Sequence, residues 1–160
     1  MTEISVVELG IGDRAPDFDL PRDGGGRVRL TDFAGKPLVL FFYPKDDTTA
    51  CTAESISFTA LAAEFEKAGA AILGVSPDSV KSHDKFVKKH ALSVPLASDE
   101  EKTAAEAYGV WREKSMYGRT FMGVVRSTFL IEADGRIARI WSKVKVTGHA
   151  EEVLAAVKEL

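Results

Sequence analysis

Apolar residues along the chain fall into short continuous runs and stripes at helical spacing, and the alternation of the two lays out the secondary structure. Leu38–Tyr43 is an unbroken apolar run whose length and aromatic content predict a buried strand, stopped by Pro44. Beyond it, Phe58, Leu61, Ala62 and Phe65 recur at i, i+3, i+4 and i+7, one stripe of a helix expected to run to about Gly69. Ala70–Ser76 again reads as a strand, and Ser76-Pro77-Asp78 as a turn into a helix over about 79–90. A short strand at 95–97 and a short helix over 99–108, with acidic residues at its start, follow.

Towards the C-terminus, 127–132 and 136–142 read as an antiparallel pair joined by Ala133-Asp134-Gly135, since Asp-Gly suits a hairpin turn. Ala150, Val153, Leu154 and Val157 repeat the helical stripe and predict a closing helix. At the other end, Phe18–Leu20 and Val28–Leu30 read as two strands around Gly24-Gly25-Gly26, and residues 1–9 are expected to be flexible. No repeat or linker interrupts the series. It predicts an α/β, thioredoxin-like fold: a central mixed sheet flanked by helices, with an N-terminal β-hairpin.

Composition narrows this picture. A chain of 160 residues, 45% apolar, suffices for one domain over 1–160 and not for two ordinary ones. Net charge is −3 with both signs interspersed, so no basic field invites a nucleic acid partner. Glu3 and Glu8 stand where a signal peptide needs positive charge, and no stretch approaches the ~20 apolar residues of a membrane span. The expectation is a soluble, cytoplasmic protein. His83, His90 and His149 lack metal-ligand spacing and are expected on exposed helix or loop surfaces; no metal or cofactor is expected. The glycine triplet has no phosphate-binding fingerprint around it, and Phe41, Phe42, Trp111 and Trp141 read as packing. Lys85, Lys88 and Lys89 read as a solvated helix face.

Cys51 is the only cysteine, so no internal disulfide can form, and it is either a buried small hydrophobe or a reactive thiol. Its setting decides. A buried strand ends at Pro44, and Thr48 or Thr49 is a natural N-cap for the next helix, which puts Cys51 in the first helical turn. Free backbone N–H groups and the helix dipole stabilise an anion there. An ordinary thiol is only about 3% ionised at pH 7, so such stabilisation is worth up to roughly thirtyfold in reactive form.

The pattern Pro44-x-x-x-Thr48-x-x-Cys51 resembles the active-site motif of the peroxiredoxins. Gly12-Asp13-Arg14-Ala15-Pro16-Asp17-Phe18 is similar to the family's opening segment, and Val125–Ile131 to its distal strand. The likeness covers nearly the whole chain. The run Phe41–Thr48, with Tyr117-Gly118 and Arg126, resembles the bacterioferritin comigratory protein or Q-type subfamily in particular. The resemblance implies a thiol peroxidase in which Cys51 is the peroxidatic cysteine and Thr48 hydrogen-bonds the peroxide. It further implies that Pro44 shields the thiolate, Arg126 supplies positive charge beside the sulfur, and Glu54 helps hold that arginine. A solvated acid at a helix start is the other reading of Glu54. Met116, Tyr117 and Phe121, in a glycine-containing loop ahead of Arg126, are candidates for lining the approach to the pocket.

Two departures from the subsidiary pattern matter. Positions where Q-type members place a second cysteine are Ile56 and Val87 here, which implies a one-cysteine cycle restored by an external thiol: thioredoxin, glutaredoxin with glutathione, or a small thiol. Ala50 replaces a common glycine and is expected at negative φ. The expected substrates are hydrogen peroxide and organic hydroperoxides, acting on a monomer or weak homodimer. A redox sensor or relay passing oxidation to a partner protein's thiol is the alternative, and a structural or holdase domain with a dispensable Cys51 is a third reading.

Overall fold

The computed structural model describes residues 8–160, so most of the stretch expected to be flexible lies outside the described residues; Leu9 packs against the core. The central sheet has five strands in the order β5-β4-β3-β8-β9. These are β3 (Leu38–Phe42), β4 (Ala71–Ser76), β5 (Leu96–Ser98), β8 (Ser127–Ile131) and β9 (Ile137–Ser142). β3 pairs parallel with β4 and antiparallel with β8, giving the expected mixed sheet. The N-terminal hairpin, β1 (Asp19–Pro21) with β2 (Arg27–Arg29), stands apart from it.

β3 is apolar without alternation because the sheet is covered on both faces. Leu38, Leu40 and Phe42 join Leu73, Val75, Phe129 and Ile131 in one core, beneath α4 (Thr103–Ala107). Val39, Phe41 and Tyr43 point the other way and meet Phe58, Phe65, Phe86, Leu130 and Val153. That second core lies under α1 (Thr49–Ala60), α2 (Ala62–Lys67), α3 (Val80–His90) and α5 (His149–Lys158). Each fully buried Phe or Leu contributes about 1.5–3 kcal/mol.

Three expectations change. The helix towards Gly69 is broken at Leu61 into α1 and α2, yet its stripe stays continuous: Phe58 and Phe65 pack 5.8 Å apart in the same core. The helix expected over 99–108 forms only from Thr103, because Lys102 takes a left-handed conformation; Asp99 still caps it, accepting from Ala104 N at 3.1 Å and Ala105 N at 2.8 Å. The loop ahead of Arg126 is a second hairpin, β6 (Trp111–Met116) with β7 (Arg119–Val124). Tyr117 and Gly118 form its two-residue turn at φ 53° and 76°, both positive as such turns require. No helix among the described residues is long and apolar enough to cross a membrane.

Gly74 of β4 stands between its register partners Phe41 and Leu96, and a Cβ there would lie 2.7 Å from Phe41 Cζ and 2.8 Å from Leu96 Cδ2. Both neighbours are fully buried. Gly74→Ala is therefore expected to destabilise the chain by about 1–3 kcal/mol through overpacking, read as a lowered urea midpoint at unchanged slope.

Candidate active site

β3 leaves the sheet through residues 44–48 and re-enters regular structure at α1, whose N-cap is Thr48 with extended backbone (φ −91°, ψ 158°). Thr52 N–H donates to Thr48 O at 2.8 Å as the first helical bond, so the amides just before it have no intrahelical partner. Cys51 is the third residue of this helix and only 1% exposed. Ala50 is an ordinary helical residue, absent from the positive-φ positions. Thr48 caps by position alone: its hydroxyl donates to Lys45 O at 2.9 Å instead of serving the helix. With that proton committed, the hydroxyl's lone pairs are free to accept from an incoming O–H. Pro44 is half-buried at the start of the same loop.

Arg126 lies between β7 and β8 and divides its guanidinium between two groups. Nη2 donates to Cys51 Sγ at 3.1 Å, and Nη1 to Glu54 Oε1 at 2.7 Å. The arginine side chain is 13% exposed and that of Glu54 1%, so these charges act in a medium of low polarity, where they are strong. Burial, opposed by Arg126, pushes the Glu54 carboxyl up from 4.5 to about 7. Its second oxygen, Oε2, is buried without a partner among the described residues. The structure thus takes Glu54 out of solvent and gives it to Arg126.

Lys114, which the sequence pattern did not single out, and two of the residues expected to line the approach complete the surroundings. Lys114 of β6 packs along the sheet of the second hairpin and donates to Val124 O at 2.8 Å. Burial and Arg126 lower its pKa while Cys51 raises it, so its charge is felt at the site. Phe121 is the register partner of Lys114, on the same face of the hairpin, and is half exposed; the turn residue Tyr117 is almost fully exposed.

The histidines correct an expectation. His83 and His149 are buried, not exposed. His149 meets Thr128 Oγ1 at 2.8 Å and packs edge-on against Phe58 and Trp141; burial lowers its pKa. His83 meets Asp46 at 2.7 Å. Although spacing along the chain shows no acid cluster beside a histidine, the fold brings ligand-type atoms of Asp46, Asp78 and His83 within 4.8 Å of one another. Each is already engaged by protein groups: Asp46 by Tyr43 and Ser82, Asp78 by Ser76 and the Asp46 amide, His83 by Ala97 O.

The AhpC/TSA family model matches residues 11–140, with Cys51, Thr48 and Arg126 inside the match. The chain belongs to the AhpC/TSA family. Peroxiredoxin Bcp of Xanthomonas campestris is 51% identical over 90% of this chain and 91% of its own, and that of Bacillus subtilis 46% identical over 96% and 98%. A solved structure of X. campestris Peroxiredoxin Q superposes with a TM-score of 0.85 at 50% identity, covering 89% of this chain and 90% of that one. The same protein is known in variants with serine in place of each of two cysteines, and in ligand complexes bearing on its alkyl peroxide reduction. The fold is accordingly thioredoxin-like, and the chain is a peroxiredoxin, a thiol-dependent peroxidase.

In this peroxiredoxin the burial of Glu54, only partly offset by Arg126, makes stability depend on pH in a defined direction. A carboxyl whose pKa is raised on folding adds stability that is full below its ordinary 4.5 and lost as pH rises through about 7. Arg126→Met removes the counter-charge, so above that range Glu54 has to ionise unpaired. The expected loss is about 3–5 kcal/mol at pH 8 and distinctly less at pH 5.5, measured by urea unfolding of native and variant chains at both values.

Proposed function

We propose that this peroxiredoxin reduces hydrogen peroxide and organic hydroperoxides by a one-cysteine cycle on Cys51. The observation that carries the reading is the Cys51 sulfur in the first turn of α1, 3.1 Å from Arg126 Nη2, in a chain with no second cysteine. The Cys51 thiolate attacks one peroxide oxygen; the S–O bond forms as the O–O bond breaks, and the electron pair leaves on the other oxygen, which takes a proton to become water or an alcohol. Sulfur is oxidised by two electrons to the sulfenic acid. Arg126 offers N–H donors to both the thiolate and the departing oxygen without losing its own charge. Thr48 accepts the peroxide O–H while its own proton rests on Lys45 O, and Pro44 keeps water from the sulfur. Glu54 orients Arg126.

The second half of the cycle needs an external thiol. It attacks the sulfenic sulfur, releasing water and leaving a mixed disulfide, and a second thiol frees Cys51 as that disulfide is exchanged. Two features of the relatives support this reading. The two cysteines replaced in the X. campestris protein stand at the same separation as Cys51 and Val87 here, and Val87 is a partly buried residue packed against the core. The alkyl peroxide reduction named for that protein suits the half-exposed Phe121 and Met116 beside Lys114. Thioredoxin, or glutaredoxin with glutathione, is the expected reductant class.

Stopped-flow oxidation with stoichiometric hydrogen peroxide tests the proposal. Native protein should react orders of magnitude faster than a free small thiol; Cys51→Ser should be inert, and Thr48→Val slower by about 10–100-fold. Mass spectrometry after turnover should show the sulfenic acid or a mixed disulfide. Native oxidation no faster than that of a free thiol would defeat the reading.

A further inference from the structure

The loop that carries Pro44 and Thr48 is tied to α3 by four side-chain contacts. Asp46 Oδ2 accepts from Ser82 Oγ at 2.8 Å and meets His83 Nδ1 at 2.7 Å. The neighbouring Asp47, held at φ 59°, meets Lys89 Nζ at 2.7 Å and His90 Nε2 at 2.8 Å. The second pair is exposed and weak. The first is buried, with the His83 side chain at 0% and that of Asp46 at 3% exposure.

Counting protons at His83 identifies its state. Nε2 lies 2.9 Å from Ala97 O, a carbonyl that can only accept, so Nε2 carries a hydrogen. Nδ1 faces Asp46, whose carboxylate already accepts Tyr43 Oη at 2.6 Å and the Ser82 hydroxyl. Both ring nitrogens thus face acceptor oxygens, Ala97 O and the Asp46 carboxyl, an arrangement that an imidazolium with two N–H donors satisfies in full. The charged groups facing it are Asp46 from the loop and Asp78 from the turn ahead of α3; Tyr43 adds a neutral hydroxyl from the end of β3, and β5 contributes only the carbonyl. Burial presses the imidazole towards neutrality, but the Asp46 bond and charge outweigh it and hold its pKa above the ordinary value.

We propose that Asp46 and His83 are a positioning pair for the peroxide-binding loop: the imidazolium, fixed on Ala97 O, holds Asp46 and thereby sets Thr48 and Pro44 over Cys51. The proposal rests on the roles given above to Thr48 and Pro44. Loss of the His83 proton leaves one N–H for two acceptors, and the loop loses the charged one of its buried ties, keeping those to Tyr43 and Ser82. Peroxide reactivity then falls at alkaline pH although the thiolate persists. Alkylation of Cys51, which needs the thiolate but not Thr48, does not fall with it.

Three measurements on the full chain test this. In the native protein, 15N NMR of the imidazole should show both ring nitrogens of His83 protonated at pH 7; a neutral ring overturns the proposal. Between pH 6 and 9.5, native protein should lose peroxide reactivity on an alkaline limb that iodoacetamide alkylation lacks. Asp46→Asn and His83→Gln should each lower the peroxide rate at pH 7 about tenfold, leave alkylation within twofold and abolish the limb. If both reactions fall together, the pair is merely structural and the proposal fails. Should those variants not fold, Ser82→Ala removes one donor from Asp46, which strengthens its hold on the imidazolium and should move the limb to higher pH; an unmoved limb overturns the idea. Native protein that fails to react rapidly with peroxide sinks the functional reading itself, whereas fast native oxidation unaffected by any of the variants sinks only the positioning pair.

Discussion

Arg126 reaches Cys51 across 75 residues of sequence because β3 and β8 pair in one register, Phe42 opposite Ser127. Arg126 is the residue before Ser127, so the ladder delivers its guanidinium to the end of β3, where the chain turns into α1. A slip of one residue in that pairing would turn the side chains of β8 to the opposite face and take the arginine's anchor with them. The register is itself enforced by burial on both faces of β3, since Leu40 and Phe42 on one side and Val39 and Phe41 on the other each have a core to fill. The geometry at Cys51 and the packing of the core are thus one constraint.

Around that junction the protein keeps charge in a dry place. Cys51, Glu54 and Arg126 sit together at the edge of an apolar core, and Lys114 adds a further cation from the second hairpin. In low-dielectric surroundings each of these interactions is stronger than it would be at the surface, and each unpaired member costs more. Glu54 shows the consequence: its bond to Arg126 does not fully offset its burial, and its carboxyl ends near neutrality in pKa, at about 7. A carboxyl so placed tempers the arginine's charge without cancelling it. The same logic governs the loop on the other side of the thiol, where Asp46 is enclosed by Tyr43, Ser82 and His83 instead of being left to water.

The elements legible in the sequence are those whose burial is periodic. β3 is a continuous run because both its faces are covered, and α5 shows Ala150, Val153, Leu154 and Val157 because one side of it is. The second hairpin was missed for the opposite reason. β6 reads Trp-Arg-Glu-Lys-Ser-Met with neither face fully buried, and its turn is Tyr-Gly where Asn-Gly or Asp-Gly would have been the signal. The break at Leu61 was hidden because the apolar stripe runs through it undisturbed. Burial of His83 left no trace in the local pattern either: its partners, Asp46 and Ala97, lie 37 and 14 residues away.

By itself the sequence determined the local setting of Cys51, the one candidate nucleophile. That setting depends on neighbours in the chain: a strand stopped by Pro44, a cap at Thr48 or Thr49, and Cys51 in the first turn of a helix whose first amides are free. It also determined that no second cysteine can answer the first, which is a matter of counting. Only the tertiary structure decided which charges meet the thiol and how they are held. Glu54 had two readings until folding buried it against Arg126, and the Asp46–His83 contact joins a loop to a helix 37 residues away. Local conformation follows from short-range sterics and hydrogen bonding, whereas the strength of an ion pair follows from distance and dielectric, and both of those exist only once the sheet has closed.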